Sequence, residues 1–209
     1  RTIGTLGKHE VIFLPRHGLS HQIPPHQVNY RANIWVLKSM GVKHIYAVGA
    51  TGSIDKLLKP RDIVIPTQLI DYTYGREHTF YDGSNEIVEH IDFSQPYSEN
   101  LRQRLIKAAS LVNIPVHEQG TYAATQGPRL ETVTEIDRLQ RDGASIVGMT
   151  GMPEAALARE LDMEYALISL VVNPAAGRAG EALISMAEII DHLDEGMRDV
   201  CRVFEAMLG

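Results

Sequence analysis

Apolar positions along the chain fall alternately into short continuous runs and into helical spacing. Residues 10–15, Glu-Val-Ile-Phe-Leu-Pro, read as a short buried strand. Past the Pro24-Pro25 break, Tyr30, Ile34 and Leu37 share one face, which predicts a helix over 28–40. Gly41 ends it at a left-handed cap position. Residues 44–48 form a second strand running into Gly49-Ala50-Thr51-Gly52, and 62–65 start a third. The polar segment 72–97 is long enough to be a functional or disordered loop. Beyond it the pattern predicts a helix over 101–111, a strand over 120–125, a helix over 131–141 and a strand over 144–147. A helix over 153–161 follows, with Pro153 in its first turn. Residues 165–172 are continuously apolar, as in a strand buried on both faces. Met186, Ile189, Ile190, Leu193, Met197, Val200, Cys201 and Phe204 make one apolar face of a last helix. Strands alternating with helices predict an α/β fold, with a twisted, mixed but mostly parallel central sheet flanked by helices. No internal repeat or linker interrupts the pattern, so residues 1–209 are expected to form a single domain.

Composition narrows the function classes. No apolar run approaches the roughly 18–20 residues of a membrane span. The opening Arg1-Thr2-Ile3-Gly4 lacks the apolar stretch of a signal peptide. A single cysteine, Cys201, excludes an internal disulfide and fits a reducing compartment, so a cytoplasmic location is expected. The net charge of −6 argues against a nucleic-acid surface, but a small phosphate ligand needs only local donors. The chain opens on arginine rather than methionine, and an N-terminal piece is expected to be absent from it.

Four segments could carry chemistry. Pro15-Arg16-His17-Gly18 offers a planar fork of donors suited to phosphate; alternatively it is a solvated turn. Gly49-Ala50-Thr51-Gly52-Ser53, at a strand end, could bring backbone N–H groups to an anion, or be an ordinary tight loop. Both are expected outside the carboxyl ends of strands, where open α/β sheets bind ligands. Met149-Thr150-Gly151-Met152-Pro153-Glu154 opens a helix, whose N-terminus favours anions; Thr150 or Glu154 could instead only cap it. Asn173-Pro174-Ala175 ends the buried strand with an amide that either bonds backbone or faces a ligand. His17, His21 and His26 lie in a Pro-rich turn with no carboxylate or cysteine at ligand spacing, and no HExxH or CxxC occurs, so no metal is expected. Neither a nucleophile elbow nor a dinucleotide glycine fingerprint is present.

Taken in order, Arg16-His17-Gly18, the run from His26 to Trp35, Phe80-Tyr81-Asp82-Gly83, Gly127-Pro128-Arg129 and the run from Gly148 to Glu154 resemble the trimeric purine nucleoside phosphorylase family, in particular its S-methyl-5′-thioadenosine phosphorylase branch. The resemblance covers about Val11 to Met186. It implies that Arg16, His17, Gly49, Ala50 and Thr150 bind phosphate and that Met149 packs on the ribose. It implies that Leu130, Glu131, Asn173, Pro174 and Ala175 line the base, with Asn173 bonding the purine N7 edge. Met186 and Ile189 would lie beside the 5′ substituent. His90 would reach into a neighbouring subunit's site, which implies a homotrimer or a multiple of one. Phosphate would be a co-substrate, with no cofactor.

The chain also departs from the family pattern. The family opens with a strand and a Gly-Gly-Thr-Gly phosphate loop, and nothing before Val11 has that form, so the domain is expected to lack its N-terminal strand and first phosphate loop. Methylthioadenosine enzymes carry Asp at the positions of Asn173 and Ala175. Gly127-Pro128-Arg129-Leu130-Glu131-Thr132 is similar to the Gly-Pro-Ser-Phe-Glu-Thr of inosine and guanosine phosphorylases, which places Glu131 at their purine-binding glutamate. A methylthio-type 5′ pocket joined to a 6-oxopurine-type base edge implies phosphorolysis of S-methyl-5′-thioinosine, giving hypoxanthine and 5-methylthioribose 1-phosphate. The alternatives are a methylthioadenosine phosphorylase and a non-catalytic nucleoside-binding relative. A nucleoside hydrolase is a further option, without a special carboxylate to support it.

Overall fold

The computed structural model describes residues 2–83, 88–180 and 184–209. In chain order the strands are β1 (Thr2–Leu6), β2 (His9–Phe13), β3 (His44–Ser53), β4 (Ile63–Val64), β5 (Gln68–Asp71), β6 (Val116–His117), β7 (Thr121–Ala124), β8 (Ile146–Gly148) and β9 (Glu164–Pro174). The helices are α1 (Tyr30–Ser39), α2 (Glu99–Leu111), α3 (Val133–Arg141), α4 (Glu154–Glu160) and α5 (Met186–Leu208). Seven strands form the main sheet in the order β5-β7-β8-β3-β9-β4-β6. Its neighbours β3–β9, β4–β6, β5–β7 and β7–β8 run parallel, whereas β3–β8 and β4–β9 run antiparallel. The expected mixed, mostly parallel α/β sheet is therefore present.

Strand β9 is the axis of the core. Tyr165 to Val172 are all buried, because α1 and α4 cover one face and α2 and α5 the other. On α1, Tyr30, Ile34 and Leu37 point into the core as their spacing predicts. Asn29 accepts from the Ala32 N–H at 2.9 Å to start that helix, and Gly41 follows it at φ 80°.

Several expectations are corrected. The strand over 10–15 pairs only with β1, in a separate two-stranded hairpin. Ile12 and Leu14 rest on the core but Phe13 is 66% exposed, since a two-stranded ribbon has only one face to bury. The second strand does not stop at Val48: β3 continues to Ser53, paired with β9 throughout, with a register shift between Thr51 and Gly52. The first site candidates therefore do not share the carboxyl edge of one open sheet. The helix expected over 131–141 begins two residues later, at Val133. On α5, Val200 and Val203 are the buried pair, and Ile189, Leu193, Met197 and Phe204 pack beside them, while Met186, Ile190 and Cys201 are exposed. Strands β1, β5 and β6 carried no periodic signal.

Candidate functional site

After β2 the chain turns, with the Gly18 N–H donating to Pro15 O at 2.9 Å, and Arg16 points inward. Its Nε donates to Glu154 Oε1 at 2.9 Å and its Nη2 to Oε2 at 2.8 Å, while Nη1 donates to Val48 O at 3.0 Å. Glu154 is buried and also accepts from the Tyr165 hydroxyl at 2.8 Å. It caps nothing: Pro153 holds the N-cap position of α4, without a side-chain cap bond. Burial alone would lower the Arg16 pKa, but the Glu154 carboxylate more than reverses this and keeps the guanidinium charged. Of the five guanidinium N–H groups, three are spent and two remain for a ligand. Arg16 is thus no solvated turn.

His17 is half-buried. Its Nδ1 lies 2.8 Å from Ile23 O, and its ring stacks on His21 with centroids 4.4 Å apart. Burial lowers its pKa, and the neighbouring His21 and Arg16 push the same way against the Ile23 carbonyl. A neutral ring that donates from Nδ1 presents a lone pair at Nε2, which suits a protonated phosphate oxygen.

Gly49 and Ala50 lie within β3, opposite Ser169 and Leu170 of β9. On the other edge β8 pairs only with Gly52 and Ser53. The edge is thus open where Val48 O meets Arg16. Residues two apart in a strand direct their backbone groups to the same edge, so the Ala50 N–H faces the side on which Arg16 lies. Gly49 is buried and Ala50 exposed.

Strand β8 delivers Met149 and Thr150. The N–H groups of Thr150 and Gly151 both donate to the buried Tyr122 hydroxyl, at 3.2 and 3.3 Å. The Met149 sulfur lies where a Cβ on Gly127 would stand, and Gly127 has φ 61°, so only glycine fits there. Sequence reasoning missed Arg76, which braces this loop. Its Nη1 donates to Met149 O at 2.8 Å and Met152 O at 2.6 Å, and its Nη2 to Gln126 O at 2.9 Å. Nε reaches the Gln126 side-chain oxygen at 3.2 Å, and the guanidinium stands over the Tyr30 ring. Only the length of the polar segment 72–97 hinted that one of its residues does such work.

Strand β7 leads to Thr125, whose N–H donates to Gly148 O at 2.8 Å. The Thr125 hydroxyl donates to Glu131 Oε1 at 2.6 Å. Glu131 does not sit in the first turn of α3. Thr132 caps that helix, and a capping box with Glu135 satisfies its first N–H groups. Arg129 and the Thr132 backbone hold the Glu135 carboxyl down at about 2. The acid serving the helix is thus Glu135, and Glu131 turns onto the end of β7. At the end of β9, Asn173 stands beside Gly52 and donates from Nδ2 to Pro174 O at 2.7 Å, which leaves its Oδ1 as an acceptor. Pro174 is half-buried and Leu130 is 43% exposed. Ala175 belongs to the core around Ile136 and Val147, so its side chain is buried there.

The remaining candidates are not gathered in. Met186, at the start of α5, is 62% exposed, and Ile189 packs on the core. His90 is exposed. A cleft of about 230 Å³ is lined by Thr125, Gln126, Gly127 and Glu131, and a larger one of about 370 Å³ by Tyr97, Arg159 and Glu164. Neither includes Arg16, Thr150 or Asn173. Among the described residues, no three His, Cys, Asp or Glu side chains gather as metal ligands, and no helix is long and apolar enough to cross a membrane.

Over 198 residues the chain is 57% identical to a probable S-methyl-5′-thioinosine phosphorylase of Pseudomonas syringae pv. tomato, covering 95% of this chain and 80% of that protein. It is 45% identical to the 6-oxopurine nucleoside phosphorylase of Pyrococcus furiosus, covering 99% of this chain and 80% of that protein. The solved structure of methylthioadenosine phosphorylase from Schistosoma mansoni in complex with adenine superposes with a TM-score of 0.94 at 34% identity, covering 99% of this chain and 78% of that one. Residues 1–209 match the Phosphorylase superfamily, and the chain belongs to that family.

Proposed function

We propose that this purine nucleoside phosphorylase cleaves S-methyl-5′-thioinosine with phosphate, giving hypoxanthine and 5-methylthioribose 1-phosphate. The observation that carries the choice of base is the placement of Glu131. Its helix is capped by Thr132 and Glu135, so the carboxylate is released from that task and held by the Thr125 hydroxyl. One carboxylate oxygen then accepts the N1–H of a 6-oxopurine, whereas adenine N1 offers it only a lone pair. A buried site built around such a bond rejects the wrong analogue by as much as roughly 10⁴-fold. The similarity to methylthioinosine and 6-oxopurine phosphorylases supports the same reading.

The arrangement supports the following mechanism. Phosphate is held by the two spare Arg16 N–H groups, the Ala50 N–H, the Thr150 hydroxyl and His17 Nε2. The C1′–N9 bond lengthens first, and positive charge builds on the sugar. The phosphate anion stabilises that charge and then forms the C1′–O bond. The electron pair leaves with the base, whose N7 takes a proton from water, and Asn173 Oδ1 accepts that N7–H. Phosphate is the co-substrate, and no cofactor takes part. The exposed Met186 and Ile190, with His90 on the long segment, support a homotrimer, or a multiple of one, in which a neighbour closes the 5′ side. The working compartment is the cytoplasm.

The test compares kcat/KM for methylthioinosine and methylthioadenosine in the wild type and in Glu131→Gln. The expected wild type prefers methylthioinosine, and the variant loses most of that preference. A wild type that prefers methylthioadenosine defeats the assignment.

A further inference from the structure

We infer that Arg76 supplies the net positive charge of the phosphate site, while Arg16 supplies directed hydrogen bonds. The inference rests on the phosphate reading of Arg16, His17 and Thr150 given above. Arg16 is charged, but the buried Glu154 carboxylate lies on it through two bonds, and the pair carries no net charge. Burial pushes His17 toward the neutral ring. Neither therefore offers a phosphate dianion an uncancelled charge.

Arg76 differs in every respect. It is 7% exposed, and its partners are the carbonyls of Thr125, Gln126, Met149 and Met152, the Gln126 side-chain oxygen and the Tyr30 hydroxyl. All are neutral, and among the described residues no carboxylate pairs with it. Its hydrogens are satisfied but its charge is not cancelled. A buried charge of that kind is costly without a counter-ion, and an anion bound close by recovers the cost. The position is right for this. Nη1 sits on the Met149 carbonyl, one peptide from Thr150. Tyr30, which Arg76 touches, also lies within electrostatic reach of Arg16 and Glu154. Two cations and one carboxylate thus act on Tyr30, with a net charge of +1. In a site that excludes water such a charge acts over several ångströms, without direct contact.

The experiment separates charge from bracing. Arg76→Lys keeps the charge and loses the planar fork; Arg76→Gln loses both. The phosphate KM should stay within about threefold of wild type in Arg76→Lys and rise by about tenfold or more in Arg76→Gln, with similar losses of thermal stability and little change in nucleoside KM. Equal phosphate KM values in the two variants overturn the inference, because a bracing role damages both alike. If either variant fails to fold, Gln126→Glu decides. It places a carboxylate where the Gln126 oxygen already accepts from Arg76 Nε and the Tyr74 N–H, and so cancels the charge while keeping the contacts. The expected result is an intact fold and a phosphate KM raised about tenfold; an unchanged phosphate KM overturns the inference. Failure of the underlying site reading looks different: Arg16→Ala would then leave the phosphate KM unchanged.

Discussion

Arg16 and Met186 are both proposed to touch substrate, yet their surroundings have little in common. Arg16 sits in a chain of buried partners that runs from Val48 O through its guanidinium to Glu154 and the Tyr165 hydroxyl. Met186 stands 62% exposed on the first turn of α5. Phosphate makes few contacts, all of them directional, and its site has to be organised before it binds. A methylthio group asks only for apolar surface, which a second subunit can bring. The proposed phosphate contacts from Arg16 are therefore braced within one chain, and the proposed 5′ side is left open. Substitutions on the first side should disturb both fold and phosphate use, and those on the second only the choice of 5′ group.

Glu154→Gln strikes the closed side hardest. Removing one partner of a buried ion pair costs about 3–5 kcal/mol of stability, because the other charge is left behind. A large fall in the thermal midpoint together with a raised phosphate KM is expected, read by calorimetry and initial rates. A variant as stable as the wild type would show that the pair is not buried in solution. Arg16→Ala comes next. It removes charge-assisted bonds worth about 1.5–3 kcal/mol, so the phosphate KM should rise by roughly ten- to a hundredfold. Normal turnover at an unchanged phosphate KM would take Arg16 out of the site.

Met186→His probes the open side. A buried 5′-hydroxyl without a partner costs about 1–3 kcal/mol, and a histidine there offers one. Inosine should gain about tenfold relative to methylthioinosine, with the thermal midpoint unchanged. Equal kcat/KM for inosine and methylthioinosine in the wild type would mean that Met186 does not face the 5′ group. The smallest effect is that of pH on His17. Its folded pKa is lowered, so the unfolded chain binds more protons as pH falls through the ordinary histidine range. Stability from this group is present above that range and lost below it. Between pH 7.5 and 5.5 the wild type should lose slightly more thermal stability than His17→Gln; identical slopes would contradict the shift.

What could be read from the sequence follows from the physics of each element. Helix α1 and strand β9 were legible because their periodicity and continuous burial are properties of single segments. The family was legible only from its motifs as an ordered set. The ends were harder: β3 runs on through Gly49 and Ala50 because β9 continues to pair with it, which no local pattern announces. Glu131 was ambiguous until Thr132 and Glu135 proved to cap the helix. Glu154 and Arg76 were invisible in their roles, since their partners lie 138 and up to 76 positions away in the chain. Nothing local in a polar segment distinguishes an arginine that braces two distant loops from one that is solvated.

The proposed activity is phosphate-dependent cleavage of a 6-oxopurine methylthionucleoside. The most direct measurement is the initial rate of hypoxanthine release from S-methyl-5′-thioinosine, with and without phosphate, with the sugar product identified. Release should saturate with phosphate and yield 5-methylthioribose 1-phosphate in equal amount. Release at the same rate without phosphate, giving free 5-methylthioribose, would make the protein a hydrolase instead of a phosphorylase.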